Sequence, residues 1–392
     1  MSRPLAGLMV VSVEQAVAVP FATRQLADLG ARVIKIERPG TGDFARGYDT
    51  TVKGLSSYFV WLNRSKESLT LDLKRPEARD VMSRLLERAD VFAENLAPGA
   101  AGRLGLDPAA LSHRHSRLIA CSVTGYGSSG PYAAKKAYDL LVQSEVGLIS
   151  LTGTEAHPSK VGISVADIAA GMYAYSGILT ALLSRASSGC GSVLTVSLFD
   201  ALAEWMSAPA YYTAYGGSPP RRTGAHHASI APYGPYDTEG GPVYLAIQNA
   251  REWMRFCRDV VRRPELENDT RFRTNADRIR HRQELDEAIA SVLDGMSLSE
   301  VVARLDAAGI ANARLGSIGQ FVDHPQLTAR ERWREIDSPA GPLRALLPPI
   351  EMADVAPVMG AVPSPGQHTD AILAELGFDA GVVEAWRREG TI

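Results

Sequence analysis

The chain contains 392 residues, of which 45% are hydrophobic and 22% charged, and its formal net charge is −3. A chain of this length is too long for one typical compact domain and suggests two. The nearly neutral charge balance gives no electrostatic case for a nucleic-acid partner or for binding to an anionic membrane.

The cysteines favour a reduced, cytoplasmic protein. Cys121, Cys190 and Cys257 lie far apart and form no CxxC pair, so neither a disulfide framework nor a cysteine-rich zinc site is expected. No paired His or Cys spacing suggests a metal. The N-terminal apolar run is interrupted by Glu14 and lacks the layout of a signal peptide, and we expect no membrane-spanning segment.

Short apolar runs alternate with amphipathic stretches over the first two-thirds of the chain. Strands are predicted at residues 7–13, 32–38, 68–73, 90–95 and 118–127, and helices at 21–31 and 76–89. Strand–helix alternation at these lengths predicts βαβ units and a parallel sheet, and therefore an α/β fold.

The composition changes in the second half of the chain. A strand and a helix are predicted at 192–206, and a segment rich in Gly, Pro and His at 215–241 is typical of a linker or functional loop. A strand at 242–248 is followed at 251–312 by charged helical patterns. These patterns predict a separate, smaller domain.

A single carboxylate interrupts the apolar segment 161–183. Asp167 follows a strand-like stretch and begins a helical run. One interpretation is a helix N-cap, which accepts backbone N–H bonds and complements the helix dipole. Amide groups at a helix N-terminus favour the anion, so the same residue would stay ionised and be available as a nucleophile. Both interpretations are compatible with the sequence.

Five segments together resemble one family: residues 26–46, 63–80, 89–107, 123–148 and 161–183. They are similar to the family III CoA-transferases, the CaiB/BaiF group, which includes formyl-CoA transferase and α-methylacyl-CoA racemase. The resemblance implies a Rossmann-like large domain, a smaller α+β domain and an interlocked homodimer. It places the large domain at 1–215 and 321–392, with the linker and small domain at 216–320.

The resemblance also implies the chemistry. In the family, the residue that matches Asp167 attacks an acyl-CoA thioester, giving a mixed anhydride and then an aspartyl–CoA thioester. Coenzyme A is then a substrate and product rather than a tightly bound cofactor, and the partners are an acyl-CoA and a free carboxylic acid. The chain has no GxxxxGK[ST] phosphate loop, in agreement with a reaction that needs no ATP.

Two residues that precede the segment 161–183, Tyr138 and Asp139, bear on the reaction type. Family racemases have a His at the position of Tyr138, and a tyrosine with a pKa near 10 is a poor base at neutral pH. This substitution favours transfer over isomerisation, although Tyr138 is also compatible with a core aromatic. Asp139 matches an active-site Glu of formyl-CoA transferase; it would orient substrate or help protonate a departing acid, or it is a helix-capping or ion-paired residue.

The resemblance assigns residues to both ends of the substrate. CoA would be bound by Val17, Arg38, Leu71, Lys74, Asn95, Arg103 and Lys136. The chain looks most like members that act on C4–C6 dicarboxylates such as succinate, mesaconate or itaconate. The candidates for the second carboxylate are Arg46, Tyr48, His226 and His227.

Two departures from formyl-CoA transferase argue against an oxalate/formate pair. Val17 stands where that enzyme has a glutamine, and the chain lacks its run of four glycines. Two other functions remain open: an α-methylacyl-CoA racemase-type isomerase, and a non-catalytic acyl-CoA-binding protein.

Overall fold

The computed structural model describes residues 3–392, which divide into two units. Unit 1 comprises the chain up to Val146, Val161–Ala208 and Gln326–Ile392. Unit 2 comprises Gly147–Lys160 and Pro209–Pro325. The linker and small domain predicted at 216–320 lie within unit 2, which also contains 147–160 and 209–215.

Unit 1 is built on a six-stranded sheet. Its strands are β1 (Met9–Val13), β2 (Arg32–Glu37), β3 (Lys66–Thr70), β4 (Val91–Glu94), β5 (Ile119–Thr124) and β6 (Val193–Ser197). All neighbours are parallel, in the order β3-β2-β1-β4-β5-β6. This is the Rossmann order, in which the chain reverses direction across the sheet between β1 and β4. The predicted parallel α/β sheet is confirmed, and β3 begins and ends earlier than the predicted 68–73.

The remaining strands form two antiparallel sheets, one in each unit. The strands are β7 (Tyr233–Tyr236), β8 (Val243–Ala246), β9 (Ala311–Arg314), β10 (Trp333–Ile336) and β11 (Leu343–Leu346). The first three form a sheet in unit 2, and the last two form a hairpin in unit 1.

The helices, in chain order, are α1 (Ala18–Asp28), α2 (Ser57–Asn63), α3 (Pro76–Arg88), α4 (Ala100–Arg103), α5 (Pro108–Arg114), α6 (Asp139–Glu145), α7 (Leu148–Leu151), α8 (Val165–Ser188), α9 (Leu198–Trp205), α10 (Ser207–Gly216), α11 (Ala250–Arg255), α12 (Glu265–Asn268), α13 (Asn275–Arg280), α14 (Arg282–Leu293), α15 (Leu298–Ala307), α16 (Ile318–Val322), α17 (Pro325–Ala329), α18 (Thr369–Glu375) and α19 (Ala380–Glu389). A 3-10 helix spans Phe44–Gly47, and a π-helix spans Phe256–Val260.

Helix α3 shows how the sequence builds one layer over the sheet. Pro76 occupies its first turn together with the acidic Glu77, and Arg88 lies in the last turn, which suits both the backbone and the helix dipole. Its buried residues recur at helical spacing: Ala78, Val81, Met82, Leu85 and Leu86. They pack with residues of β1 to β4, α18 and α19 in one hydrophobic core.

Helices α1 and α8 pack closely on each other in unit 1. Gly171 of α8 permits this approach, because a Cβ atom there would lie 2.6 Å from the Ala18 carbonyl oxygen. Within residues 3–392, α8 is the one helix long and apolar enough to cross a membrane, and 44% of its most apolar window is buried inside the protein.

Unit 2 is a smaller α+β unit with its own core. Helices α11 to α15 surround the β7–β8–β9 sheet, and the core includes Trp253, Phe256, Phe272 and Leu285. The predicted helical character of 251–312 is confirmed, with β9 added at its end.

Candidate active site

A cavity of about 1290 Å³ opens at the carboxyl ends of the parallel strands of unit 1. Its wall includes residues at the end of each strand or directly after it: Val13 and Glu14 at β1, Glu37 and Arg38 at β2, Leu71 to Lys74 at β3, Asn95 to Pro98 at β4, and Thr124 and Gly125 at β5. All lining residues belong to unit 1. This edge of an open α/β sheet is where such folds bind their ligands.

Asp167 lies in the wall of this cavity, at the third position of α8. Its side chain is partly exposed, and no hydrogen bond to its carboxylate forms within the described chain. Burial, and then the negative charge of Asp139, raises the pKa of Asp167 to about 7. The prediction of an N-cap carboxylate held ionised by backbone amides was therefore wrong, because the N-cap residue is Ser164.

Asp139 supplies the capping interaction from another helix. Its Oδ1 accepts a hydrogen bond from the backbone N–H of Ala166 at 2.7 Å, in the first turn of α8. Its Oδ2 accepts one from Nε2 of Gln143 at 2.7 Å, and Oε1 of Gln143 accepts one from the backbone N–H of Val161 at 3.0 Å. Both carboxylate oxygens of Asp139 therefore hold protein groups, as the helix-capping interpretation anticipated.

Two tyrosines accompany the carboxylate at the cavity wall. Tyr138 directly precedes α6 and is 67% exposed, and Tyr48 follows the 3-10 helix. Burial and the charges of Asp43 and Asp167 raise the pKa of Tyr48 to about 12. Its hydroxyl group thus stays neutral at physiological pH and is a hydrogen-bond donor for an oxygen anion.

Most of the predicted CoA-binding residues meet in this cavity. Val17, Arg38, Leu71, Lys74, Asn95 and Lys136 line it, whereas Arg103 is exposed and does not. Asn95 is already engaged: its Oδ1 accepts from the backbone N–H of Gln15 at 2.9 Å, and its Nδ2 donates to the Gln15 carbonyl at 2.8 Å. Asn95 therefore shapes the loop after β1 with its side chain.

The structure does not place Arg46 in the cavity wall. Its guanidinium group donates to both carboxylate oxygens of Glu37, at 2.8 and 2.7 Å, and to the Pro363 carbonyl at 3.1 Å. It also lies over the Phe59 ring, 3.6 Å from the centroid. These contacts leave Arg46 an internal anchor rather than the substrate ligand that the resemblance suggested.

The two predicted histidines belong to unit 2, and neither lines the cavity of unit 1. The His227 ring stacks on Tyr233 with a centroid distance of 5.1 Å, and its Nδ1 accepts from the backbone N–H of Ser229. Burial lowers the pKa of His226, which keeps that ring neutral. Within residues 3–392, no cluster of three or more His, Cys, Asp or Glu side chains suits a metal ion.

A buried ionic network that includes the wall residues Glu14 and Asp43 was missed at the sequence level. Lys66 contacts Glu14 at 2.6 Å and Lys35 contacts Asp43 at 2.8 Å, all with fully buried side chains. Burial alone would raise the pKa of Glu14, but the ammonium groups of Lys66 and Lys35 outweigh it and hold that pKa below its usual value. Charged residues inside a strand predicted to be buried, such as Lys35, are the signal that could have revealed this network.

The network fixes the loop that carries Val17. Asp43 accepts a hydrogen bond from the backbone N–H of Ala16 at 3.1 Å. Ala16 has a φ of 60°, a left-handed conformation that a side chain disfavours and that needs support from its surroundings. The hydrogen bond to Asp43 therefore stabilises the part of the cavity wall that follows β1.

Comparison with known proteins agrees with this architecture. The model of CoA-transferase family III matches residues 5–369. The chain is 31% identical to a succinyl-CoA:glutarate CoA-transferase of Mus musculus, covering 100% of this chain and 90% of the relative. It is 34% identical to an acetyl-CoA:oxalate CoA-transferase of Acetobacter aceti, covering 83% and 84%.

A solved structure has the same fold over nearly the whole length. A CaiB/BaiF family protein from Brucella suis superimposes with a TM-score of 0.83 and 32% identity, covering 96% of this chain and 100% of that one. The family match, the relatives and the solved structure lead to one conclusion: the chain belongs to CoA-transferase family III and is a CoA-transferase.

Proposed function

We propose that this enzyme transfers CoA from an acyl-CoA to a free C4–C6 dicarboxylic acid through covalent intermediates on Asp167. The observation that carries the proposal is a carboxylate without hydrogen-bond partners in the described chain, in the wall of a cavity of about 1290 Å³. Arg38, Lys74 and Lys136 in the same wall offer cations for the phosphates of CoA.

The reaction proceeds by four acyl transfers. The Asp167 carboxylate attacks the thioester carbonyl and expels CoA thiolate, giving a mixed anhydride. The thiolate attacks the aspartyl carbonyl, which releases the donor acid and leaves an aspartyl–CoA thioester. The acceptor carboxylate then attacks this thioester and expels the thiolate again. The thiolate finally attacks the acceptor carbonyl of the new anhydride, which yields the new acyl-CoA and restores Asp167.

Tyr48 and Tyr138 are the donors that we assign to the oxyanions formed in these steps. Both lie in the same wall as Asp167, and a neutral phenol donates a hydrogen bond to an oxygen that gains charge. The low-dielectric surroundings that raise the pKa of Asp167 also make its carboxylate a stronger nucleophile when it is ionised.

The choice of C4–C6 acids is supported by the relative named for succinyl-CoA and glutarate. The relative named for acetyl-CoA and oxalate marks the alternative, a shorter diacid. Arg46 is bound to Glu37 and does not line the cavity. Of the four residues predicted to bind the second carboxylate, Tyr48 is therefore the one that lines the cavity of unit 1.

The racemase alternative needs a second base across the α-carbon. Within residues 3–392, the wall of the unit 1 cavity contains Tyr138 at the relevant position and no histidine. A phenol is a weak proton acceptor at neutral pH, because phenols of this kind titrate near pH 10 in water. The cavity therefore favours transfer.

Mass spectrometry of CoA thioesters tests the proposal. The protein is incubated with succinyl-CoA and glutarate, mesaconate, itaconate, oxalate or acetate. We expect new thioesters of the C4–C6 diacids that do not form with Asp167→Ala. Oxalyl-CoA as the main product would contradict the proposed C4–C6 length of the acceptor acid. Absence of every new thioester, with solvent deuterium entering a 2-methylacyl-CoA, would establish the racemase instead, and saturable CoA binding without turnover would establish a binding protein.

We also propose that the enzyme is a homodimer. Large apolar side chains are exposed on the single chain, including Leu183 at 76% and Tyr215 at 86%. Exposed apolar surface of this kind is typical of protein–protein interfaces.

A further inference from the structure

The first turn of α8, which carries Asp167, is held from outside by α6. Two hydrogen bonds connect these segments: the Ala166 N–H donates to Asp139 Oδ1, and the Val161 N–H donates to Gln143 Oε1. The two donor N–H groups, of Val161 and Ala166, lie on either side of the turn that leads into α8. Since Asp167 is the residue after Ala166, the place of its carboxylate depends on this attachment.

Gln143 holds the arrangement together. Its side chain is fully buried, one turn along α6 from Asp139. Its Nε2 must donate, because the partner is a carboxylate oxygen, and its Oε1 must accept, because the partner is the N–H of Val161. Only one orientation of the amide satisfies both partners, so the direction of each hydrogen bond in the network is defined.

We infer that Gln143 is a positioning residue for CoA transfer, which acts by fixing the Asp139 carboxylate against the first turn of α8 and so sets the place of the Asp167 carboxylate. The inference rests on the proposed function, because it assigns Gln143 a role only if Asp167 is the nucleophile. Gln143 itself does not line the cavity. Its effect therefore passes through Asp139 and the helix backbone.

The chemistry makes this attachment important. An attacking carboxylate oxygen must approach the thioester carbonyl within a narrow range of distance and angle, and a displacement of about 1 Å costs on the order of a hundredfold in rate. Asp167 has no hydrogen bond of its own to hold its side chain within the described residues. The helix terminus is thus the part of the protein that determines where the nucleophile lies.

A reversal of the central hydrogen bond tests the inference. In Asp139→Asn the side chain keeps one acceptor oxygen for two donors, so one of the three hydrogen bonds, from the Ala166 N–H, between the two side chains or from the Val161 N–H, must be lost. In Gln143→Glu two carboxylates face each other. In the double variant, the Asn amide donates to the Glu carboxylate, whose other oxygen accepts from Val161, while the Asn oxygen still accepts from Ala166. All three hydrogen bonds are then restored, with the central one reversed.

We expect each single variant to lower kcat by about tenfold or more, with little change in KM for the acyl-CoA, because most of the CoA candidates in the wall come from the segments that follow β1 to β4. The double variant should recover most of the lost kcat, a coupling that independent sites do not show. Ser144→Ala, an exposed neighbour on α6, is the control and should match the unsubstituted protein.

The outcomes separate the inference from the proposed function. If the unsubstituted protein transfers CoA and the double variant is no better than the weaker single variant, the role of Gln143 is wrong. Wild-type kcat in either folded single variant overturns it as well. If one single variant does not fold, the double variant and the other single variant still decide. If the unsubstituted protein transfers no CoA, the proposed function fails and the inference falls with it.

Discussion

At the scale of the residue, the ionisation of Asp167 determines when the proposed reaction runs. Its pKa lies at about 7, because burial and the neighbouring Asp139 disfavour the anion. Only the anion is a nucleophile. We therefore expect kcat/KM to be constant above about pH 8 and to fall about tenfold per pH unit below about pH 7.

A pH profile of kcat/KM from about pH 5 to 9 measures this decrease on the acid side. In Asp139→Asn the nearby negative charge is removed, so the decrease should begin at lower pH while its slope stays the same. A profile that remains flat down to about pH 5 would contradict a nucleophile with a pKa near 7.

Arg46 provides a second prediction at this scale. Burial would raise the pKa of Glu37, but its hydrogen bonds with Arg46 and the charge of Lys35 lower it to about 2. Arg46→Ala leaves that carboxylate buried without its main partner, so we expect a loss of about 3 kcal/mol in the free energy of unfolding. Chemical denaturation measures it, and Arg79→Ala, an exposed arginine, should change it by less than about 0.5 kcal/mol.

The pH dependence of the unfolding free energy shows whether Glu37 is the group that Arg46 stabilises. Since the folded-state pKa of Glu37 lies below its usual value, its ionised form stabilises the protein above about pH 4.5, and this contribution is lost as the pH falls towards 2. Arg46→Ala should weaken that acid dependence. An unfolding free energy equal to that of the unsubstituted protein would show that the Arg46–Glu37 pair has no structural role.

Individual residues also show how much of the candidate site could be predicted from the sequence alone. Asp167, Tyr138, Asp139 and six of the seven CoA candidates were predicted and lie in one wall, although their catalytic and binding roles stay predictions. Gln143 and Lys35 were not predicted, because their contacts with Val161 and Glu14 become visible only once the helices and strands are packed. Arg46 was predicted to bind substrate and instead contacts Glu37, because a substrate-binding arginine and an internal anchor look alike in a sequence.

At the scale of the element, the contact between α1 and α8 determines where the helix of the proposed nucleophile lies. A Cβ atom on Gly171 would lie 2.6 Å from the Ala18 carbonyl oxygen and 3.1 Å from Phe21. We expect Gly171→Ala to separate the two helices and to cost about 1–3 kcal/mol of stability.

Gly177 of the same helix provides the matched control. A Cβ atom there meets only Leu194, at an ordinary 3.7 Å. Gly177→Ala should therefore stabilise the protein by about 0.5–1 kcal/mol, because alanine is the better helix former. Thermal unfolding of both variants measures the difference, and equal melting temperatures would contradict the close packing at Gly171.

Periodicity predicted the elements well where one face is apolar. The spacing in α3 and the apolar runs of β1 and β2 identified these elements close to their observed bounds. The start of α1 at Ala18 and the early β3 were missed, since Pro20 lies in the first turn of the helix and charged residues begin the strand.

At the scale of the whole molecule, the division of the chain follows contacts that no local pattern reveals. The chain leaves unit 1 at Gly147 and returns to it at Val161, just before α8, the helix of the proposed nucleophile. The sequence gives little sign that this segment belongs to the other unit, because a short helix with turns resembles any surface loop. The later change in composition near 215 was readable and lies close to the observed boundary at Pro209.

The proposed homodimer is tested in solution. A chain of 42.1 kDa should give a particle of about twice that mass by light scattering at micromolar concentration, because the exposed apolar side chains would be covered by a second copy. A monomer over the whole concentration range would contradict the proposal and would leave the exposed apolar surface for another partner.

The most direct test of the central claim follows an oxygen atom. The protein turns over succinyl-CoA with a dicarboxylic acid whose carboxyl oxygens are all ¹⁸O. In the anhydride route, the acceptor oxygen that bridges to Asp167 stays on the protein when CoA attacks the acceptor carbonyl. The peptide containing Asp167 should therefore gain the mass of a heavy oxygen, and the peptide containing Asp139 should not. An unlabelled Asp167 after many turnovers would show that the acid attacks the thioester without a covalent intermediate on this residue.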